Sequence, residues 1–123
     1  MKEQRRGLAR LVYALCYSLE GLRATWKDEE AFREIVLLCM VGVPLGLYLG
    51  SSWAERVLLI VPLVLCVVVE LLNTAIENVV DLVSPEWHPL AKKAKDMGSA
   101  AQFVCQIFLA CVWLGFLIGL VLE

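Results

Sequence analysis

The sequence has little of what soluble enzymes and nucleic-acid-binding proteins usually carry. It contains one histidine, and its formal net charge of −2 provides no basic surface for nucleic acid. It also lacks a GxxxxGKS/T phosphate loop, a protein-kinase catalytic loop and a GxSxG nucleophile elbow. Its five cysteines form no CxxC pair and lie among apolar residues. They are therefore predicted to be small buried side chains rather than disulfides or metal ligands.

Apolar residues, by contrast, are abundant and run in long stretches. They make up 60% of the 123 residues, against about 45–50% in an average soluble domain. Residues 35–54 and 97–122 carry no charge, and residues 57–80 are interrupted by Glu70, Asn73 and Glu77. Each stretch is long enough to cross a hydrocarbon core of about 30 Å. We predict an all-α integral membrane protein, one domain over residues 1–123, with spans at about 33–50, 56–81 and 96–121.

The residues before the first span have a different pattern. Leucines and other apolar residues recur there at steps of three and four, at Leu8, Leu11, Val12, Leu15, Leu19, Leu22 and Trp26. This spacing predicts an amphipathic helix over about residues 5–27 that lies on the bilayer surface. Packing of the same face against protein is the alternative. Asp28 is predicted to cap the helix that follows, and Pro89 to open the last one.

Lysine and arginine predict the orientation in the membrane. Seven of them precede the first span, one lies between the first and second spans, and three lie between the second and third. Because cytoplasmic loops are enriched in these residues, the N-terminus and the second loop are predicted to face the cytoplasm.

The second span carries a stripe of polar residues on one face. At about 100° per residue, Asn73, Glu77 and Asp81 lie within about 60° of Glu70. A carboxylate in a membrane span costs about 2.5–3.5 kcal/mol on insertion scales, so the stripe indicates a function or a polar interface. If Arg56 marks the outer edge, Glu70 lies ~21 Å in and Glu77 ~32 Å in, at the cytoplasmic boundary. These depths suit a reaction between a water-soluble partner and a lipid hydroxyl.

Other charged residues are predicted at the same boundary. Glu29 precedes the first span and, with Glu77, could hold Mg²⁺, which typically takes one or two carboxylates plus phosphate oxygens. Lys95 and Arg10 could neutralise phosphate charge. Each also has a plainer interpretation, since Glu29 can simply begin a helix, lysines can simply determine topology, and Arg10 can simply be a surface charge.

Three blocks resemble one known family. The segment ELLNTAIENVVD, from Glu70 to Asp81, resembles the signature of the prokaryotic diacylglycerol kinases. The block AKDMGSAA at residues 94–101 is similar to their second characteristic block, and residues 21–33 resemble their N-terminal block. The resemblance implies a homotrimer in the bacterial inner membrane that transfers the γ-phosphate of ATP to diacylglycerol. The product would be phosphatidic acid, and the reaction would be a step of phospholipid metabolism.

The same resemblance implies roles for individual residues. Glu70 would be the catalytic base, supported by Asn73, and Glu29 and Glu77 would bind Mg²⁺. The nucleotide site would be formed by Arg10, Tyr17, Glu29, Glu77, Glu86, His88, Lys95 and Asp96. The lipid substrate would lie near Arg10, Arg23, Trp26, Glu70 and Ser99.

Three other functions remain open at this point. An undecaprenol kinase performs the same chemistry on a long polyprenol, although Ala31, Phe32 and Arg33 favour diacylglycerol. A proton or ion pathway also uses carboxylates inside a helix bundle. A noncatalytic scaffold would use the stripe only to join helices.

Overall fold

The structure, a computed structural model, describes residues 6–123. This part of the chain forms four helices and no strand: α1 (Gly7–Asp28), α2 (Glu30–Leu49), α3 (Trp53–Val83) and α4 (Pro89–Leu122). The last three are long and apolar enough to span a membrane. The predicted all-α fold with three candidate spans is therefore confirmed. The helices run past the predicted spans at several ends, and the depth of each residue in the membrane stays a prediction.

Short polar segments determine where the helices begin. At the start of α3, Ser52 Oγ accepts the backbone N–H of Glu55 at 3.2 Å, and the Glu55 carboxylate accepts the N–H and hydroxyl of Ser51 at 3.0 and 2.8 Å. These bonds occupy donors that a helix start leaves unpaired. The predicted cap at Asp28 is wrong. Asp28 is the last residue of α1, and Glu29 precedes α2 without a side-chain capping bond.

Two glycines allow α2 and α3 to pack closely. Gly42 and Gly46 are buried and four residues apart, so they lie on one face of α2. A Cβ at Gly42 would come 2.7 Å from Cδ1 of Leu63, and one at Gly46 would come 3.2 Å from Cβ of Leu59. Small residues at this spacing commonly bring membrane helices together because side-chain bulk is absent from the interface. This glycine spacing was not among the features predicted from the sequence.

The centre of the bundle is built from Ile35 of α2, Cys66 of α3 and Cys105 of α4. The two cysteine sulfurs lie 3.2 Å apart, and both side chains are buried. For these two residues the prediction of small buried side chains is correct. For Cys16 and Cys111 it is wrong, because both are exposed on the surface of the chain.

Helix α1 contributes nothing to this core, since none of its residues is buried. It is joined to α2 by Arg33, whose Nη1 donates to the backbone oxygens of Trp26 and Lys27 at 2.8 and 3.1 Å. The apolar stripe of α1 is left uncovered by the rest of the described chain. This exposure favours the interpretation that α1 lies on a bilayer surface over the alternative that its apolar face packs against the rest of the chain. The predicted first residue of this helix, Arg5, lies outside the described residues.

Gly98 provides a test of how tightly α3 and α4 are packed. A Cβ at this position would overlap Oδ1 of the buried Asn73. Gly98→Ala should lower the free energy of unfolding by about 1–3 kcal/mol, the usual cost of overpacking. In Gly115→Ala, also in α4, the added Cβ meets no atom within 4 Å. This control should be neutral or more stable by up to about 1 kcal/mol. Thermal unfolding of both variants in one detergent measures the difference, and equal stabilities would contradict the close α3–α4 contact.

Candidate active site

Helices α2, α3 and α4 enclose a cavity of about 380 Å³. Five residues predicted for the site line it, namely Glu29, Glu70, Asn73, Glu77 and Ser99. The structure thus brings together residues that are far apart in the sequence. Glu34 and Gln102 line the same cavity and were not predicted.

Glu70 is the most enclosed of the carboxylates. It lies near the middle of α3, and only 7% of the residue is exposed. The amide nitrogen of Gln102, on α4, donates to Glu70 Oε2 at 2.9 Å and to the backbone oxygen of Cys66 at 3.3 Å. A buried carboxylate is costly unless it is hydrogen-bonded, so this contact explains how Glu70 is tolerated inside the bundle.

Negative charge dominates the cavity. Four glutamates face it, and no lysine or arginine of residues 6–123 lines it. Glu29, Glu70 and Glu77 line this one cavity, and like charges gathered in one place favour a bound cation.

The donor set of the cavity fits Mg²⁺. Oxygen ligands, with one or two carboxylates, are what this ion prefers, and it keeps water and phosphate oxygens in its other positions. Within the described chain, no three His, Cys, Asp or Glu side chains are grouped closely enough to hold a metal by themselves. A pair such as Glu29 and Glu77 therefore fits only an ion that phosphate and water also bind.

Two buried acceptors add to this polarity. Oδ1 of Asn73 and Oε1 of Gln102 have no hydrogen-bond partner in the described chain. Asn73 was predicted to support Glu70 or the substrate, and no hydrogen bond joins it to Glu70 in residues 6–123. The residue that does contact Glu70 is Gln102.

A second cavity of about 320 Å³ lies at the turn between α3 and α4. It contains four of the predicted nucleotide-site residues, Glu86, His88, Lys95 and Asp96. Lys95 Nζ lies 2.5 Å from an oxygen of Asp81, and Lys92 Nζ lies 2.5 Å from an oxygen of Asp96. Nδ1 of His88 accepts a hydrogen bond from the backbone N–H of Leu90 at 3.1 Å and so caps the start of α4. Pro89 is the first residue of that helix, as predicted.

Glu77 lies between the two cavities. It lines the first one, which we call the carboxylate cavity, and its charge also acts on Lys95 at the second one. The two groups of predicted residues are therefore neighbours along α3, separated by about one helical turn between Glu77 and Asp81.

The predicted residues of α1 are not brought to either cavity within this one chain. Arg10, Tyr17, Arg23 and Trp26 are exposed and line neither of them. Tyr17 packs near Tyr13, with ring centroids 6.5 Å apart.

The residues that were missed carried only weak signals in the sequence. Gln102 lies in a stretch that is uncharged, yet it follows Ser99 by three residues and so shares its helix face. Glu34 follows Glu30 by one helical turn, among charges that topology alone explains.

Comparisons with known proteins agree with the resemblance. The family model of the prokaryotic diacylglycerol kinases matches residues 16–117. The chain is 48% identical over 118 residues to the diacylglycerol kinase of Helicobacter pylori, covering 96% of this chain and 92% of that protein. It is 50% identical over 113 residues to the Pseudomonas aeruginosa enzyme, covering 92% of each chain. For the Escherichia coli K12 enzyme the identity is 41% over 113 residues, covering 92% of this chain and 93% of that one. The chain therefore belongs to the prokaryotic diacylglycerol kinase family.

Proposed function

We propose that this protein transfers the γ-phosphate of ATP to the primary hydroxyl of diacylglycerol and so produces phosphatidic acid. The observation that carries the proposal is the buried Glu70, held by a hydrogen bond in a cavity that it shares with Glu29 and Glu77. The family supplies the substrate class, since the relatives named above are diacylglycerol kinases. The reaction would take place at the cytoplasmic surface of the bacterial inner membrane.

In this reaction Glu70 is the general base. It accepts the proton of the lipid hydroxyl as the hydroxyl oxygen forms its bond to the γ-phosphorus, and ADP leaves as the bond to the β,γ-bridging oxygen breaks. A base that is enclosed in a cavity but near headgroup depth can meet a lipid hydroxyl while excluding bulk water. The enclosure of Glu70 supports this role.

Glu29 and Glu77 are proposed to hold Mg²⁺ together with the phosphates. Bound Mg²⁺ would supply charge neutralisation on the phosphate oxygens, as metal ions do in other phosphoryl transfers. Support comes from the cavity itself, which is lined by carboxylates and by no lysine or arginine of the described chain.

The rest of the nucleotide site is proposed to lie at the α3–α4 turn, at Glu86, His88, Lys95 and Asp96. Lys95 would exchange its partner Asp81 for phosphate when ATP binds. Arg10 and Tyr17 would complete the nucleotide site from α1, and Arg10, Arg23, Trp26 and Ser99 would contact the lipid.

Assembly into a homotrimer is proposed from the resemblance. It is supported by the apolar surface that α2, α3 and α4 leave exposed and by the predicted α1 residues, which line neither cavity. A second copy could cover part of that surface and bring α1 to a neighbouring cavity.

A radiolabelled-ATP assay in mixed micelles tests the proposed function directly. Diacylglycerol should be labelled in a Mg²⁺-dependent manner, and a polyprenol of undecaprenol length should be a poor substrate. Preferential labelling of the polyprenol would identify an undecaprenol kinase. Absence of phosphorylation of any lipid alcohol, with the protein folded, would contradict the proposal.

Glu70→Gln should lower the turnover number by about 10²–10⁴-fold, the usual contribution of a general base. The amide keeps the shape and the hydrogen-bonding oxygen, so the thermal unfolding temperature and ATP binding should change little. Glu20→Gln, an exposed position on α1, is the matched control and should retain the wild-type rate. A Glu70→Gln variant within a few-fold of the wild type would exclude Glu70 as the base.

Glu29→Ala and Glu77→Ala should each raise the Mg²⁺ concentration needed for half-maximal activity by about tenfold, because one charged ligand is lost. High Mg²⁺ should restore part of the rate. Glu30→Ala removes the neighbouring exposed carboxylate, which does not line the cavity, and should show the wild-type Mg²⁺ dependence. Initial rates across a Mg²⁺ series make the comparison, and unchanged curves for both site variants would remove the metal assignment.

Lys95→Met should raise the KM for ATP by about tenfold or more, since a charge-assisted contact to phosphate is lost. The KM for lipid should stay near its wild-type value. Lys93→Met is the control, because Lys93 is exposed and does not line the cavity at the α3–α4 turn. Equal KM values for ATP in the two variants would contradict the role of Lys95.

A further inference from the structure

Gln102 joins the two helices that carry the centre of the carboxylate cavity. Its Nε2 donates to two acceptors on α3, the carboxylate of Glu70 at 2.9 Å and the backbone oxygen of Cys66 at 3.3 Å. A primary amide has two N–H donors, so both are used by this arrangement. The amide is thereby fixed against α3 at two points, four residues apart.

The chemistry of the neighbours determines which way the amide faces. The reversed amide would place Oε1 against a carboxylate oxygen and a backbone carbonyl oxygen, three acceptors with no hydrogen among them. The observed orientation avoids this repulsion and leaves Oε1 of Gln102 buried without a partner. With both N–H donors of the amide used by α3, the amide oxygen is left without a partner in the described chain.

That unpaired oxygen also argues against a packing role. Gln102 is 7% exposed in a helix whose neighbouring residues are largely apolar. An apolar side chain of the same length would fill the space without burying an unsatisfied oxygen. What the amide provides, and an apolar residue would not, is a fixed hydrogen bond to Glu70.

We propose that Gln102 is a positioning residue for the general base. Its hydrogen bond to Oε2 holds the Glu70 carboxylate in one orientation and leaves Oε1, which accepts no hydrogen bond from residues 6–123, to take the proton of the lipid hydroxyl. This inference rests on the proposed function, in which Glu70 is the base. Preorganisation of this kind affects the chemical step more than substrate binding, because misplacement of a reacting group by about 1 Å can cost about 10²-fold.

The test compares Gln102→Met with Gln106→Met, measured with ATP and dioleoylglycerol in mixed micelles. Methionine keeps the length of the side chain and removes both donors. Gln106 lies one turn further along α4 and lines the same cavity, but it is exposed and makes no hydrogen bond to Glu70, so it controls for a change in the cavity lining. We expect Gln102→Met to lower kcat about 10–100-fold with the KM for each substrate within about twofold. The factor by which kcat falls in Gln106→Met should be at least about fivefold smaller than the factor in Gln102→Met.

A double-mutant cycle with Glu70→Gln separates positioning from a structural role. If Gln102 acts only through the base, the double variant should be no slower than Glu70→Gln alone. Losses that multiply would overturn the inference while leaving Glu70 as the base. A Glu70→Gln variant with a nearly wild-type rate would instead overturn the proposed base, and the inference with it.

Gln102→Leu covers the case in which the methionine variant does not fold. Leucine is close to glutamine in volume and has no N–H to donate to Glu70, so its kcat should fall by a similar factor. A wild-type kcat in either variant would overturn the inference.

Discussion

A carboxylate inside a membrane-spanning helix is the constraint on which the rest of this bundle depends. Glu70 lies in the middle of α3, where its insertion costs about 2.5–3.5 kcal/mol or more. The chain offsets this cost by turning the polar face of α3 toward α4, where Gln102 donates to the carboxylate. Asn73 and Thr74 are buried on the same side. The rotation of α3 about its axis is therefore the one that brings the Glu70 carboxylate within hydrogen-bonding distance of Gln102.

The small residues at the helix contacts follow from the same constraint. Gln102 also donates to the backbone oxygen of Cys66, which requires α4 to lie close to α3, and Gly98 of α4 permits close contact beside Asn73. Nearer the N-terminal end of α3, Gly42 and Gly46 of α2 contact Leu63 and Leu59. The α3 helix thus packs closely on two glycines at one end and lines the cavity with polar residues further along.

The sequence predicted the polar stripe of α3 because helical periodicity is a local property. Residues three and seven positions apart share a face whatever the rest of the chain does. The sequence could not predict the contact of Gln102 with Glu70. That contact depends on the rotation of α4 about its axis and on its axial position relative to α3, which are not local properties. The prediction at Asp28 failed for a related reason. An aspartate before two glutamates fits a cap, yet α1 continues through it, and Arg33 instead binds the end of that helix.

The predicted site residues of α1 line neither cavity. The carboxylate cavity lacks any lysine or arginine from residues 6–123, and the two lysines of the second cavity, Lys92 and Lys95, are paired with Asp96 and Asp81. Phosphoryl transfer requires positive charge around the phosphates. Mg²⁺ at Glu29 and Glu77 would supply part of it, and the arginines of α1 are the remaining source among the predicted residues. Because no residue of α1 is buried against its own bundle, bringing its arginines to a cavity would require a contact outside this chain, with the bilayer surface or a second copy.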